Sequence, residues 1–173
     1  MGSFAFSMSA KADLLSQWRG YAPQGGYSVR FAFAEIEQVA RAYGFELRRC
    51  LYTEEEKDAA VDGAVARLQE NLAAGILDPD VENHPEIPPE ERPAASGRVF
   101  FQKMVHEFAP YFKNASFAEE QEWRMVGTVG PGALGHPQPC FKWRARGNLI
   151  VPYVELDFSP SLVTEVTVGP GVE

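Results

Sequence analysis

Tyr27-Ser28-Val29-Arg30-Phe31-Ala32-Phe33 alternates apolar with small or polar side chains, the two-residue period of a half-buried β-strand. That period sends Tyr27, Val29, Phe31 and Phe33 toward a core. Pro23, Gly25 and Gly26 interrupt the chain just before it, and upstream of them Leu14, Leu15, Trp18 and Tyr21 recur at three- and four-residue spacing. This spacing predicts an amphipathic helix over residues 11–22. The aromatic-rich run Phe4-Ala5-Phe6-Ser7 ahead of the helix reads as another strand. Strand, helix and strand in the opening stretch already make the fold a mixture of α and β.

Working outward toward the C-terminus, a short helix is expected over 35–43, stopped by Gly44. An extended segment follows over 45–52, with Phe45, Leu47 and Leu51 on one side. Thr53 and Glu56 have the spacing of a capping box, in which a hydroxyl and a carboxylate each satisfy an orphan amide of a helix start. The helix they open carries an apolar stripe of Ala60, Val61, Ala64, Val65, Leu68 and Leu72 and reaches Gly75, so residues 53–75 read as a long helical insertion. Prolines at 79, 85, 88, 89 and 93 among acids predict a proline-rich surface loop over 76–97. Helical spacing returns over 98–113, and Ser116 with Glu119 suggests a second capping box. Residues 123–126 read as extended, 127–139 as a glycine- and proline-rich loop, and 140–146, 149–158 and 162–168 as strands. Short connections make those last strands antiparallel neighbours. The expected class is α+β: a mixed, largely antiparallel sheet with helices packed on it, forming a single domain over 1–173.

Composition bounds the function. A chain of 173 residues, 45% hydrophobic and 23% charged, suits one domain with a real core. Twenty-four acidic against 16 basic residues give a net charge of -8, which argues against a nucleic-acid partner on electrostatic grounds. Cys50 and Cys140 lack a CxxC partner, and His84, His106 and His136 stand apart without ligand spacing, so no metal is expected and both thiols read as inert core packing. No apolar run approaches the ~20 residues of a bilayer span, and the start lacks the features of a secretory signal. A cytoplasmic protein with no membrane contact is the expectation; the sequence names no protein partner.

Three blocks near the start carry a family likeness: Phe6-Ser7-Met8-Ser9, then Asp13-Leu14-Leu15-Ser16-Gln17-Trp18-Arg19-Gly20-Tyr21-Ala22, then Gly26-Tyr27-Ser28-Val29-Arg30-Phe31. Phe117-Ala118-Glu119-Glu120-Gln121-Glu122-Trp123-Arg124, preceded by Lys113, continues it, as do Ile150-Val151-Pro152-Tyr153-Val154-Glu155-Leu156 and Val166-Thr167-Val168-Gly169-Pro170. With these blocks the chain resembles the bacterial domain of unknown function 2971. That family usually has a strand and helix ahead of the first block and a helix and strand after the last. The resemblance therefore implies a fragment of a larger family domain.

More distantly, Ser7-x-Ser9 ending an aromatic-rich strand, with Glu120-x-Glu122 leading into another, resembles part of the ADP-ribosyltransferase pattern. The resemblance implies NAD as substrate and no metal. Glu122 would be catalytic, fixing a carboxylate beside the charge that builds on the ribose when its glycosidic bond breaks. Glu120 would position the acceptor. Ser7 and Ser9 would scaffold a nicotinamide pocket, and Trp18 or Tyr21 would stack on the ring. Arg19 and Arg124 are candidates for substrate or phosphate contacts. Such a protein would be an NAD-consuming transferase or glycohydrolase, a toxin or phage-defence effector.

Plainer roles exist for the same residues. Ser7 and Ser9 would cap the helix that follows, Trp18, Tyr21 and Trp123 would be core aromatics, and Glu119 and Glu120 would answer a helix dipole from a first turn. Glu122 would form a structural ion pair with an arginine, leaving a non-catalytic binding or regulatory module with a nucleotide as its possible ligand. Lys142, Arg144 and Arg146 share one strand face and make either a phosphate-binding stripe or a solvated face. A metal-dependent nuclease built on Glu120 or Glu122 is the remaining class, and it lacks the Asp and Glu-x-Lys arrangement that such a site needs to hold magnesium.

Overall fold

Side-chain alternation in the first strand sorts small from large residues, and the sheet is built on that division. The computed structural model describes residues 2–129 and 140–171; the tail of the glycine- and proline-rich segment, with His136, lies outside them. In chain order the elements are β1 (Gly2–Ser9), α1 (Leu15–Tyr21), β2 (Tyr27–Phe31), α2 (Phe33–Ala42), β3 (Glu46–Arg49), α3 (Glu54–Ala73), α4 (Pro79–Glu82), α5 (Arg92–Phe108), β4 (Glu122–Val129), β5 (Cys140–Arg146), β6 (Leu149–Glu155) and β7 (Val163–Val168). This is an α+β fold with antiparallel strand pairs. The chain forms two compact units: a sheet-bearing unit of Met1–Cys50 with Phe117–Glu173, and a helical unit of Leu51–Ser116 set into it in sequence.

In the sheet-bearing unit β4 lies between β1 and β3, antiparallel to both. Phe4, Met8, Leu47 and Met125 point to the core face, where they join Ile36, Ala40, Phe45 and Leu162. Ile36 and Ala40 stand one helical turn apart on α2 and so seat the same face of that helix. Gly127 of β4 passes under the Phe45 ring so closely that an added Cβ would fall 2.5 Å from it, which is why a glycine occupies this strand. The other two sheets are pairs: β2 with β7, and β5 with β6.

Pairing corrects three expectations. β7 joins β2 rather than β6, so succession in sequence did not make the last strands one sheet. Tyr27 is 65% exposed, and Val29 is exposed too, because they pair with Val168 and Val166 on the outer face of a two-stranded sheet; of the alternating set only Phe31 packs on the core. Phe33 does not extend the strand but opens α2 and lies exposed against Trp123.

In the helical unit Thr53 and Glu56 form the capping box as the spacing required. Residues 76–97 are more ordered than a loop. Asp78 caps α4, and Pro79 and Pro93 sit in the first turns of α4 and α5, where a missing N–H costs nothing because that amide has no partner in a helix. The prolines mark helix starts, and α5 begins at Arg92 rather than at 98. Leu51 ties the ends of this unit together: its N–H donates to the Tyr111 carbonyl at 2.8 Å, and its carbonyl accepts from the Lys113 N–H at 3.0 Å.

Candidate functional site

The outer face of the sheet β1-β4-β3 carries the polar side chains. On β1 the large residues Phe4, Phe6 and Met8 alternate with Ser3, Ala5, Ser7 and Ser9. The register sets Ser9 directly opposite Glu122, and Ser7 directly opposite Arg124. Directly opposed residues of an antiparallel pair project from the same face, so the serine motif and the Glu122-x-Arg124 motif share one surface. The resemblance to the transferase pattern implied this neighbourhood of the serines and Glu122, and the strand register sets the two motifs side by side.

Glu122 is only 5% exposed. Two residues along the strand, Arg124 meets it with both ends of the fork: Nε donates to Oε1 at 2.6 Å and Nη2 donates to Oε2 at 3.3 Å. Two parallel charge-assisted bonds fix the carboxylate in plane as well as in position. The sequence had offered this pair as one fate of Glu122, and the pair is present.

Glu120 is also buried, at the end of a short 3-10 turn over Ala115–Glu120. It does not occupy a first helical turn, so a helix dipole does not account for it. Asn114, rather than Ser116, supplies the cap, its Oδ1 accepting from the Ser116 N–H at 2.9 Å. Between the glutamates, Gln121 has φ 44°, the one non-glycine residue at positive φ among the described residues. Left-handed backbone costs an ordinary residue about 1 kcal/mol and collects where geometry must be forced. Here it joins the turn to β4, between two buried glutamates. Ser9 spans the same junction: its Oγ donates to the Glu120 carbonyl at 2.6 Å and accepts from the Lys11 N–H at 2.9 Å. It does not cap α1, whose N-cap residue is Leu14.

The aromatic candidates separate. Trp18 is buried, its Nε1–H donating to Asp13 Oδ1 at 2.6 Å, and its ring lies so near Gly169 that a Cβ there would fall 2.5 Å away. It borders an open recess of ≈ 400 Å³ with Asp13, Leu15, Thr167, Val168 and Pro170; Ser7, Ser9, Glu120 and Glu122 are not among the lining residues. Tyr21 is 76% exposed on α1, and Arg19 is exposed on the same helix. Of the basic stripe on β5, Lys142 pairs with Glu155 at 2.6 Å and Arg144 lies over the Tyr153 ring at 5.5 Å.

Sequence reading missed Arg48 on β3. It stands directly opposite Arg124 in the ladder, so Ser7, Arg124 and Arg48 form one rung across three strands. Its guanidinium meets Glu46 Oε2 at 2.6 Å. The Glu46-x-Arg48 spacing was visible in sequence, but its alignment with Glu122-x-Arg124 needed the register. Among the described residues no group of three His, Cys, Asp or Glu is placed to hold a metal ion, and no helix is long and apolar enough to cross a membrane.

Residues 17–125, more than half of the chain, match the family model described as protein of unknown function (DUF2971). The match covers Trp18, Arg48, Glu120, Glu122 and Arg124 and leaves Ser7 and Ser9 outside it. No curated protein and no solved structure matches the chain.

Proposed function

We propose that this chain, a member of the DUF2971 family of proteins of unknown function, works on a nucleotide, and that the reaction is cleavage of the nicotinamide–ribose bond of NAD. The observation that carries this reading is the register of β1 on β4, which sets Ser9 against Glu122 and Ser7 against Arg124 on one face. Breaking that bond sends its electron pair out with nicotinamide and leaves oxocarbenium character on the ribose. A carboxylate already held in place stabilises this charge more in the transition state than in the ground state and needs no reorganisation at the moment of reaction. Arg124 holds Glu122 in that way. Ser7 and Ser9 supply hydroxyls beside it, and Glu120, next to the left-handed Gln121, is the residue proposed to position an acceptor. Water as acceptor gives ADP-ribose, nicotinamide and a proton; a nucleophile on another molecule gives its ADP-ribosylated form. The setting proposed for this activity is that of a toxin or phage-defence effector acting in the cytoplasm.

The test is nicotinamide release from NAD by the full chain and by Glu122→Gln. The substitution is expected to lower turnover about a hundredfold, the order seen when one oriented transition-state partner is lost. A wild-type protein that leaves NAD intact under every condition defeats the reading.

The bidentate Arg124 contact favours a second reading, a nucleotide-binding module without turnover in which Glu122 only orients the arginine. Under that reading Glu122→Gln changes ligand affinity and stability while no nicotinamide appears from either protein.

A further inference from the structure

We infer that the recess beside Trp18 is a binding site for an organic cation carried on an apolar stem, an alkylguanidinium or alkylammonium group. Leu15, Trp18, Val168 and Pro170 form its walls, Asp13 and Thr167 supply polar groups, and the enclosed volume is ≈ 400 Å³. Apolar walls with a few polar groups are the make-up of a small-molecule site. Asp13 sets the chemistry of the ligand. Its Oδ1 accepts from the Trp18 indole N–H at 2.6 Å, and among the described residues its Oδ2 has no hydrogen-bond or ion-pair partner. A neutral donor orients the carboxylate without cancelling its charge, so that charge is left for a ligand.

The recess is formed before anything enters it. Gly169 N–H donates to the Gly26 carbonyl at 2.8 Å, which seats the end of β7 against the Trp18 ring, and the Trp18 N–H donates to the Leu14 carbonyl at 3.1 Å. Walls fixed in this way need no ordering when a ligand binds. Leu15 and Val168 are each 58% exposed, so an apolar stem lying on them removes hydrocarbon from water on both sides. The net charge of -8 adds an overall field of the same sign as Asp13, and it draws cations toward the protein. A guanidinium suits the site better than an ammonium, because it is planar and gives up its hydration more readily. Ser7, Ser9, Glu120 and Glu122 do not line the recess, so this inference goes beyond the nucleotide reading and does not depend on it.

Titration of the full chain with n-butylguanidinium, followed through the indole N–H resonances in nitrogen–proton NMR spectra, tests the site. Trp123→Phe and Trp143→Phe assign the Trp18 signal by elimination. That signal reports the bond to Asp13, and it is expected to move and saturate while the other two indoles stay in place. Sodium chloride at the same ionic strength should not move it. Affinity should fall from n-butylguanidinium to n-butylammonium to n-butanol. Asp13→Asn, whose amide oxygen still accepts from the indole, is expected to weaken n-butylguanidinium binding roughly tenfold or more. Asp157→Asn, which removes an exposed acid outside the recess, should leave binding unchanged and controls for net charge. Leu15→Ala should shrink the advantage of n-butylguanidinium over bare guanidinium, and it carries the test if Asp13→Asn does not fold. N-acetyl-arginine amide then separates two sources of the same chemistry: affinity at or above that of n-butylguanidinium assigns the site to a basic side chain of a protein, and lower affinity assigns it to a free cation. A Trp18 signal that ignores n-butylguanidinium overturns the proposal, as does equal affinity in wild type and Asp13→Asn, or n-butanol binding as tightly as the cation.

Discussion

Two buried acids, one in each unit, meet a cation in opposite ways. Asp78 in the helical unit is 1% exposed, and each of its groups has a structural partner. Oδ1 accepts from the Asp80 N–H at 3.0 Å, Oδ2 accepts from Lys103 Nζ at 2.7 Å, and its own N–H donates to Ser96 Oγ at 3.0 Å. It is a helix cap that also ties α4 to α5. Glu122 in the sheet-bearing unit gives both oxygens to one arginine, follows a left-handed residue, and shares its face with two serines and a second guanidinium. Burial and an ion pair do not separate the two acids. The difference lies in the neighbourhood of the pair: Asp78 caps α4 and ties it to α5, whereas Glu122 shares a sheet face with Ser7, Ser9 and Arg48.

The comparison is sharpest if Asp78 is removed. Asp78→Ala should destabilise the protein by about 2 kcal/mol, because it takes away the α4 cap, leaves the Asp80 N–H without that acceptor and removes the buried partner of Lys103, which keeps only Asp80. Urea denaturation measures this, and a loss below about 1 kcal/mol would erase the distinction drawn above. Glu122→Gln is expected to cost less, about 1 kcal/mol, since the amide oxygen still accepts one of the two Arg124 bonds and that guanidinium keeps contact with solvent. A larger cost for Glu122→Gln than for Asp78→Ala would recast Glu122 as the structural acid.

Gln121 offers a smaller effect. Gln121→Gly should stabilise by up to about 1 kcal/mol by relieving the left-handed backbone, while Gln121→Val should destabilise by a similar amount, since a β-branched side chain fits that region poorly. If the strain serves the glutamates on either side, Gln121→Gly raises stability and lowers nicotinamide release together. A glycine variant with unchanged turnover would place the strain outside the site.

The smallest effect is in pH. The hydrogen bond to Asp78 holds the Lys103 ammonium above its usual value. A cation favoured in the folded state adds stability below the ordinary lysine range and loses it as pH climbs through the raised value. Alkaline titration above about pH 10.5 should therefore lower the denaturation midpoint of wild type more than that of Lys103→Met. Parallel curves would show that the bond has no thermodynamic weight.

Much of this comparison could be read from sequence, in an uneven way. Local signals held: the Thr53 capping box, the stops at Gly44 and Gly75, and the α+β class all follow from spacing within a few residues. Asp78 itself sat in a stretch whose prolines suggested a loop, because proline excludes helix interiors but is welcome in a first turn, and composition does not distinguish the two. At the site the motifs were visible and their alignment was not. Alternation places Ser7 with Ser9, and Glu46 with Arg48, on common faces, but only long-range pairing decides that Ser7, Arg124 and Arg48 make one rung. The left-handed conformation of Gln121 left no trace, since glutamine carries no preference for it. Tyr27 and Val29 show the same limit from the other side: the strand was legible, whereas exposure of its apolar face depended on how few strands joined it.

The clamp at Leu51 has a consequence for how this architecture can vary. Leu51 and Phe112 meet in a parallel bridge, side by side about 5 Å apart, so the chain runs in the same direction where it enters this unit and where it nears its exit. Everything between them is a closed loop of chain tied at its neck, and changes of length inside that loop leave the two tied segments where they are.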